Sequence, residues 1–297
     1  MHLNNHIELL KTLHLDNFPS GSSMEYYKER FYLIGDDATK MLVLDKDYNC
    51  IDAINLFTNT LYRIPKKEKT DLEASAIIHY KECPYLLILG SASKEKREKI
   101  ILVSLEKKDA YAFEIIETET FIKHLTKEGI EDVNIEGAAA IHDVLILSNR
   151  GNKLHPDNFL IITKTDFFAH QNKPEINTSK VDIDNDGVTA GLSGLAYSKD
   201  KDILFFTAST ESTSNAVDDG EIGDSYLGLI RHMSSKLHEK IIKPDLFINL
   251  SKMNTVFNKE KIESVCIEET VHKDLIIHLV SDNDNGTTGL FKIKLHL

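Results

Sequence analysis

The apolar positions of this chain fall in short runs of strand length, and one order of features returns five times. Each unit starts with an apolar residue and then an acidic or small one: Met24-Glu25-Tyr26, Leu72-Glu73-Ala74, Ile135-Glu136-Gly137, Leu192-Ser193-Gly194 and Ile262-Glu263-Ser264. A β-rich run ending in a polar cluster follows each start, at 30–37, 85–93, 144–150, 203–210 and 275–284. Runs this short, bounded by Gly, Asn and Asp, predict strands and hairpin turns rather than helices. Successive starts lie 48, 63, 57 and 70 residues apart. Self-similarity at such a period predicts a radial or stacked array, because one small sheet cannot bury both of its faces alone.

The third unit shows the internal order most clearly, with strands expected at 137–141, 144–148, 158–163 and 175–183. An antiparallel meander of four strands is a propeller blade. The same template places outer strands at 41–44 and 50–57, at 99–105 and 110–117, and at 226–232 and 240–249. The last unit ends one strand short, at 289–297, while the run 7–15 ahead of the first unit is otherwise orphaned. Joining the two removes an open sheet edge, so the expectation is one all-β domain over 1–297: a five-bladed β-propeller of four-stranded antiparallel blades, with the N-terminal strand closing the last blade. Six blades is the alternative, since the longer spacings leave room for a degenerate one. Two segments depart from alternation: 118–133, where Phe121, Ile122, Leu125 and Ile130 have helical spacing, and 250–261, which reads as a helical turn.

Composition narrows the partners. The 297 residues carry 47 acidic and 35 Lys or Arg side chains, a formal charge of -12, which disfavours nucleic acid and suits cations or neutral ligands. The Lys-rich stretches 66–69 and 94–99 alternate with Glu and read as solvated loops. Cys50, Cys83 and Cys266 lack the spacing of a zinc knuckle or redox pair and read as buried or half-buried free thiols. The first residues do not read as a secretory signal and no run approaches a membrane span, so a cytoplasmic setting away from membranes is expected.

In a propeller the start of the innermost strand and the turn after the second strand return to one face. Glu25, Glu73, Glu136, Ser193 and Glu263 are therefore expected around one end of the channel, together with Asp36, Asp37, Ser91, Ser93, Asn149, Arg150, Thr207, Ser209, Ser281, Asp282 and Asp284. Carboxylates crowded on one axis raise one another's pKa unless something positive compensates them. A hard divalent cation such as calcium takes six to eight oxygen ligands. Glu25, Glu73, Glu136 and Glu263 are the candidate ligands, or one of them a base, with Asn149, Ser193, Asp36 and Asp282 as further polar contacts. Arg150 is the internal competitor, a permanent charge whose planar fork suits two carboxylates. Hydrogen bonding of each Glu to the next blade's backbone is the non-functional alternative.

Other motifs add little. Residues 182–187 and 281–286 resemble halves of a calcium loop, but Ser193 stands where the first would need its closing Glu. His142 and His278 read as turn and core residues. No Gly-x-Ser-x-Gly elbow or phosphate-binding glycine loop is present, which disfavours a serine triad and nucleotide chemistry.

The stretch Asn134-Ile135-Glu136-Gly137-Ala138-Ala139-Ala140 with the following strand, and Leu192-Ser193-Gly194-Leu195-Ala196-Tyr197 with its own, resemble blade starts of bacterial phytase-like propellers. Glutamate-led starts also resemble gluconolactonase-type and senescence-marker propellers. That resemblance implies a divalent metal on an axial Glu, here Glu136, with Asn149 and Asp282 as oxygen donors. Those families have six blades, and Ser193 departs from their acidic position. The functional expectation is a soluble propeller binding a small polar ligand or divalent cation at the acidic mouth of its channel. In an enzymatic version it hydrolyses an ester, lactone or phosphoester through a metal-bound water. The alternative is a non-catalytic scaffold for a protein or glycan.

Overall fold

The computed structural model describes residues 7–58, 61–107, 110–183, 190–211, 222–271, 274–283 and 286–297. After β1 (Ile7–Leu15) the chain lays down blade I from β2 (Gly21–Tyr27), β3 (Arg30–Gly35), β4 (Lys40–Leu44) and β5 (Cys50–Asn55). Blade II is β6 (Leu72–Tyr80), β7 (Cys83–Gly90), β8 (Lys99–Ser104) and β9 (Phe113–Glu117). Helix α1 (Glu119–Lys127) leads to blade III, made of β10 (Ile135–Ile141), β11 (Val144–Asn149), β12 (Asn158–Lys164) and β13 (Asn177–Val181). Blade IV is β14 (Gly191–Ser198), β15 (Ile203–Glu211), β16 (Ile222–Arg231) and, after the short β17 (Ile241–Ile242), β18 (Leu246–Asn249). A helical turn, α2 (Leu250–Met253), precedes blade V, built from β19 (Ile262–Val271), β20 (Asp274–Asp282) and β21 (Thr288–His296).

The fourth strand of blade V is β1, antiparallel to β21 from Ile7 opposite Leu295 to Leu15 opposite Thr288. The described strands thus fill five blades, and the six-bladed alternative falls. The segment 240–249 is not one strand of blade IV, as its sequence suggested. Pro244 interrupts it, lacking the N–H a ladder needs. Its first half, β17, instead pairs in parallel with β13, Lys180 opposite Ile241, and extends blade III.

Position within a blade sets composition. The second and third strands pack against neighbouring blades on both faces, so they read as near-continuous apolar runs such as Leu86, Leu87, Ile88 and Leu89, all buried. Outer strands face water on one side and alternate, as β5 and β9 do. Five apolar clusters follow, one for each pair of adjacent blades, and the last joins Val280 and Leu290 of blade V to Phe31 and Leu33 of blade I. Helix α1 adds Phe121, Ile122 and Leu125 to the cluster between blades II and III, with Phe121 against Phe167 at 4.4 Å. Of the three thiols, Cys50 is exposed rather than buried, because its strand is an outer one.

Every innermost strand carries a β-bulge at the same place, just inside its start. A bulge re-aims a side chain and bends the strand. The bulged residues are Ser22, Glu73, Glu136, Ser193 and Glu263. One position further along come Ser23, Ala74, Gly137, Gly194 and Ser264, a tier of small residues. Their size is required: a Cβ on Gly194 would stand 2.6 Å from the Ser264 Cα. Neighbouring inner strands therefore meet nearly backbone to backbone, and the channel narrows directly beneath the ring of bulged residues.

Candidate functional site

The bulges bring Glu73, Glu136 and Glu263 from three blades to one opening, as expected. Glu25 is not among them. Gly21 pairs with Gly35 as Leu72 does with Gly90, which makes Ser22 the blade I counterpart of Glu73. Glu25 sits three positions further down the channel, past the narrow tier, level with Ala76, Ala139, Ala196 and Cys266. Burial there drives its pKa well up, opposed only by a hydrogen bond from Ser75 Oγ at 3.5 Å. The assignment of Glu25 as a metal ligand is corrected accordingly: the Met24-Glu25 pair imitates the repeat start but stands out of register with it.

The ring is filled in an unequal way. At blade IV the small Ser193 leaves a gap, and Arg150, extending from the end of β11, occupies it. Its Nη1 donates to Ser193 Oγ at 2.8 Å and its Nη2 to Ser209 Oγ at 2.9 Å. The same Nη1 stands 3.8 Å from Glu136 Oε2 and 3.8 Å from Glu263 Oε2. Gly191 makes room, since a Cβ there would lie 2.6 Å from Arg150 Cγ. Arg150 thus lies between two glutamates, in the internal neutralising role considered from sequence. The distances are ion pairs rather than hydrogen bonds.

Two of the three glutamates have an immediate partner two residues upstream. Asn134 Nδ2 donates to Glu136 Oε1 at 2.7 Å, and Lys261 Nζ meets Glu263 Oε1 at 2.8 Å. Glu263 is only 5% exposed, and its Oε2 is buried without a hydrogen-bond partner. At blade II the upstream residue is Asp71, an acid instead of a donor. Its carboxylate is held by Arg97, by Ser91 Oγ at 2.6 Å and by Lys69 Nζ at 2.7 Å. Lys69 also bonds Asp36. Oxygens of Asp36, Asp71 and Glu73 come within 4.8 Å of one another. Burial pushes the Asp36 carboxyl up to about 6 against the pull of Lys69. Glu73 is raised well above the ordinary range by burial, then by Asp71, Glu136 and Asp36.

The remaining sequence candidates are mostly structural. Asn149 Oδ1 accepts from the Asn134 N–H at 2.8 Å and its Nδ2 donates to the Asp132 carbonyl, so its amide ties two strand ends together and does not face the mouth as a ligand. Asp282 is buried at the end of β20, with its N–H bonded to the Lys261 carbonyl. Asp37 pairs with Arg63 Nε at 2.7 Å, and Thr207, Ser281 and Ser93 bond neighbouring backbone or side chains. Asp182 ion-pairs with Lys243, whereas 184–187 and Asp284 lie outside the described residues.

Lys69, Asp71, Arg97 and Lys261 were missed from sequence. The stretches holding Lys69 and Arg97 read as solvated loops, yet Arg97 is buried and Lys69 nearly so. A usable signal was present at one blade: Lys261 and Glu263 alternate at the start of β19, and alternate residues of an extended segment share a side, whereas Asp71, at a φ of 59°, breaks the extended run between Lys69 and Glu73.

The fold has clear counterparts among solved structures. A glutaminyl cyclase from Myxococcus xanthus aligns with a TM-score of 0.57 at 10% identity, covering 98% of this chain and 96% of that one. A GH43 β-1,3-galactosidase aligns with a TM-score of 0.54 at 11% identity, over 92% of this chain and 56% of the other. Identities this low establish shared architecture only. No curated protein matches the chain. Among the described residues no helix is long and apolar enough to cross a membrane. The propeller expected from sequence is shared with these structures, while the sequence itself is matched over residues 17–295 by the model of a family of unknown function, DUF6929, to which this chain belongs.

Proposed function

We propose that this propeller binds a small polar ligand at the mouth of its channel, between Glu73, Glu136 and Glu263. The observation that supports this most directly is the buried Oε2 of Glu263, which has no hydrogen-bond partner in a ring built by equivalent bulges. An acceptor taken from water without replacement costs about 1–3 kcal/mol, a cost that a bound donor recovers. The free thiols are compatible with a cytoplasmic setting for this activity. The test is calorimetric titration with panels of small amines and polyols, comparing wild type with Glu73→Gln, Glu136→Gln and Glu263→Gln. Loss of binding in those variants supports the reading; binding that survives all three ends it.

A divalent cation such as calcium is a second reading, favoured by the close carboxylates of Asp36, Asp71 and Glu73. Such an ion would compete with the Lys69 ammonium for two of those groups. Calcium should then raise the melting temperature and a chelator lower it. Unchanged melting under both treatments removes this reading and leaves the first standing.

The scaffold alternative draws on a different region. A groove of about 950 Å³ between the rims of blades I and II is lined by Phe57, Leu61, Tyr62, Phe113 and Ile115, of which the last four are exposed. A protein-binding role would survive the three glutamine substitutions and fail when Leu61 and Phe113 become Ser.

A further inference from the structure

Resting on the groove of the scaffold alternative and not on the mouth, we infer that β9, the outer strand of blade II, is a strand-addition site for an extended peptide of a partner protein, one that alternates apolar side chains with Lys or Arg. The backbone carries the first argument. Ser104 N–H bonds the Ala112 carbonyl at 2.8 Å and Thr118 N–H bonds the Glu98 carbonyl at 2.8 Å, so Ala112, Glu114, Ile116 and Thr118 face the ladder with β8. In an antiparallel pair the residues between them turn their N–H and C=O groups the other way, and these are Phe113, Ile115 and Glu117. On that outer side the Glu117 carbonyl accepts from Gln171 Nε2 at 2.9 Å. The N–H and C=O groups of Phe113 and Ile115 have no partner among the described residues.

The same molecule shows what such an edge takes. In blade III the outer strand β13 is covered by β17, whose Lys240 and Ile242 carbonyls accept from the N–H groups of Lys180 and Asp182 at 2.9 Å. That added strand sets Ile241 and Ile242 between Lys240 and Lys243, and Lys243 pairs with Asp182 at 3.0 Å. Among the other outer strands β18 is four residues long, and β1 and β5 each expose one large apolar side chain, Leu10 and Ile51. Strand β9 exposes two on one face, Phe113 and Ile115, and both line the groove of about 950 Å³ shared with Phe57 and Leu61 of blade I. Directly opposite residues of paired strands share a face. Guest residues opposite Phe113 and Ile115 therefore enter the groove and are apolar, while the residue opposite Glu114 faces the other side and meets an exposed carboxylate. Near the end of the strand Glu98, raised by burial and then by Glu119, Glu95 and Glu117, adds to the negative field, with Lys99 and Lys123 offsetting part of it. A second copy of the chain fits poorly, because β9 has two acids and no base and each molecule carries a charge of -12.

The experiment follows a fluorescein-labelled peptide, Lys-Val-Lys-Val-Lys-Val-Lys, by anisotropy against the full chain, with hydrogen exchange of residues 113–117 read alongside. The expected result is binding with slowed exchange in that strand. The same peptide N-methylated along its backbone keeps its charge and should bind at least tenfold more weakly, as should the plain peptide to Ile115→Pro. Proline at an edge position removes an N–H that the ladder with β8 does not use, and the melting temperature checks that this variant folds. Should it not fold, the comparison of the two peptides on the wild-type chain decides. If both peptides bind alike and Leu61→Ser weakens both, the groove takes side chains without strand pairing: the strand inference falls and the scaffold alternative stands. If neither peptide binds, or if neither Ile115→Pro nor Leu61→Ser changes the affinity, both fall. Self-association of the chain that Ile115→Pro abolishes in light scattering would make a second copy the occupant and overturn the peptide.

Discussion

Single side chains in this protein are fixed by what the neighbouring blade allows. Glu25 shows the cost of a charge placed where only small residues fit the pattern. Its folded-state pKa lies above the unfolded value near 4.3, so its contribution is neutral at acid pH and becomes destabilising as pH rises through the folded pKa. Glu25→Gln should melt with wild type at pH 4 and increasingly above it toward pH 8, as followed by circular dichroism. Gly191 illustrates the opposite constraint, space held open for another residue. Gly191→Ala should destabilise by about 1–3 kcal/mol in denaturant unfolding, because its methyl group overlaps Arg150. Most of that cost should vanish in the Arg150→Ala background, a coupling that a double-mutant cycle measures.

At the level of strands and blades, the weakest point of any ring is where it closes. Here a buried polar chain reinforces the apolar seam between blades V and I. Tyr48 of blade I bonds His278 Nδ1 at 2.5 Å, His278 Nε2 meets Glu268 at 3.0 Å, and Lys292 reaches Glu268 at 2.7 Å. Although burial opposes it, bonding to His278 and Lys292 brings the Glu268 pKa down to about 2. A depressed carboxylate stabilises above its unfolded pKa, so this contribution is present above about pH 4.3 and disappears as pH falls toward 2. His278→Leu leaves Tyr48 and Glu268 short of a buried partner and should cost about 3 kcal/mol by chemical denaturation. Removing residues 1–15 exposes the whole edge of β21 and should increase self-association, visible by light scattering. The blades were legible in sequence because their middle strands are buried on both faces and so spell unbroken apolar runs. Register within the inner strands was not, since Gly21-Ser22-Ser23 carries no carboxylate to mark it, and Met24-Glu25 supplies a false one. The cations at the mouth escaped notice because Lys69 and Arg97 sit in charged stretches that only the folded ring turns inward.

For the molecule as a whole, symmetry places five equivalent bends at one end of the channel, and three of the five bulged residues there are glutamates. The departures from symmetry, Ser22 and Ser193 where the others have Glu, set the chemistry. They leave one arc of the ring acidic and let Arg150 fold across the other. Binding of any cationic ligand at this mouth should accordingly weaken as salt rises from 50 to 500 mM, a dependence that titration at several ionic strengths checks. The pinch formed by Ser23, Ala74, Gly137, Gly194 and Ser264 has a directional consequence. Were a ligand to bind at the mouth, this pinch would bar its onward path, and it would leave by the side it entered.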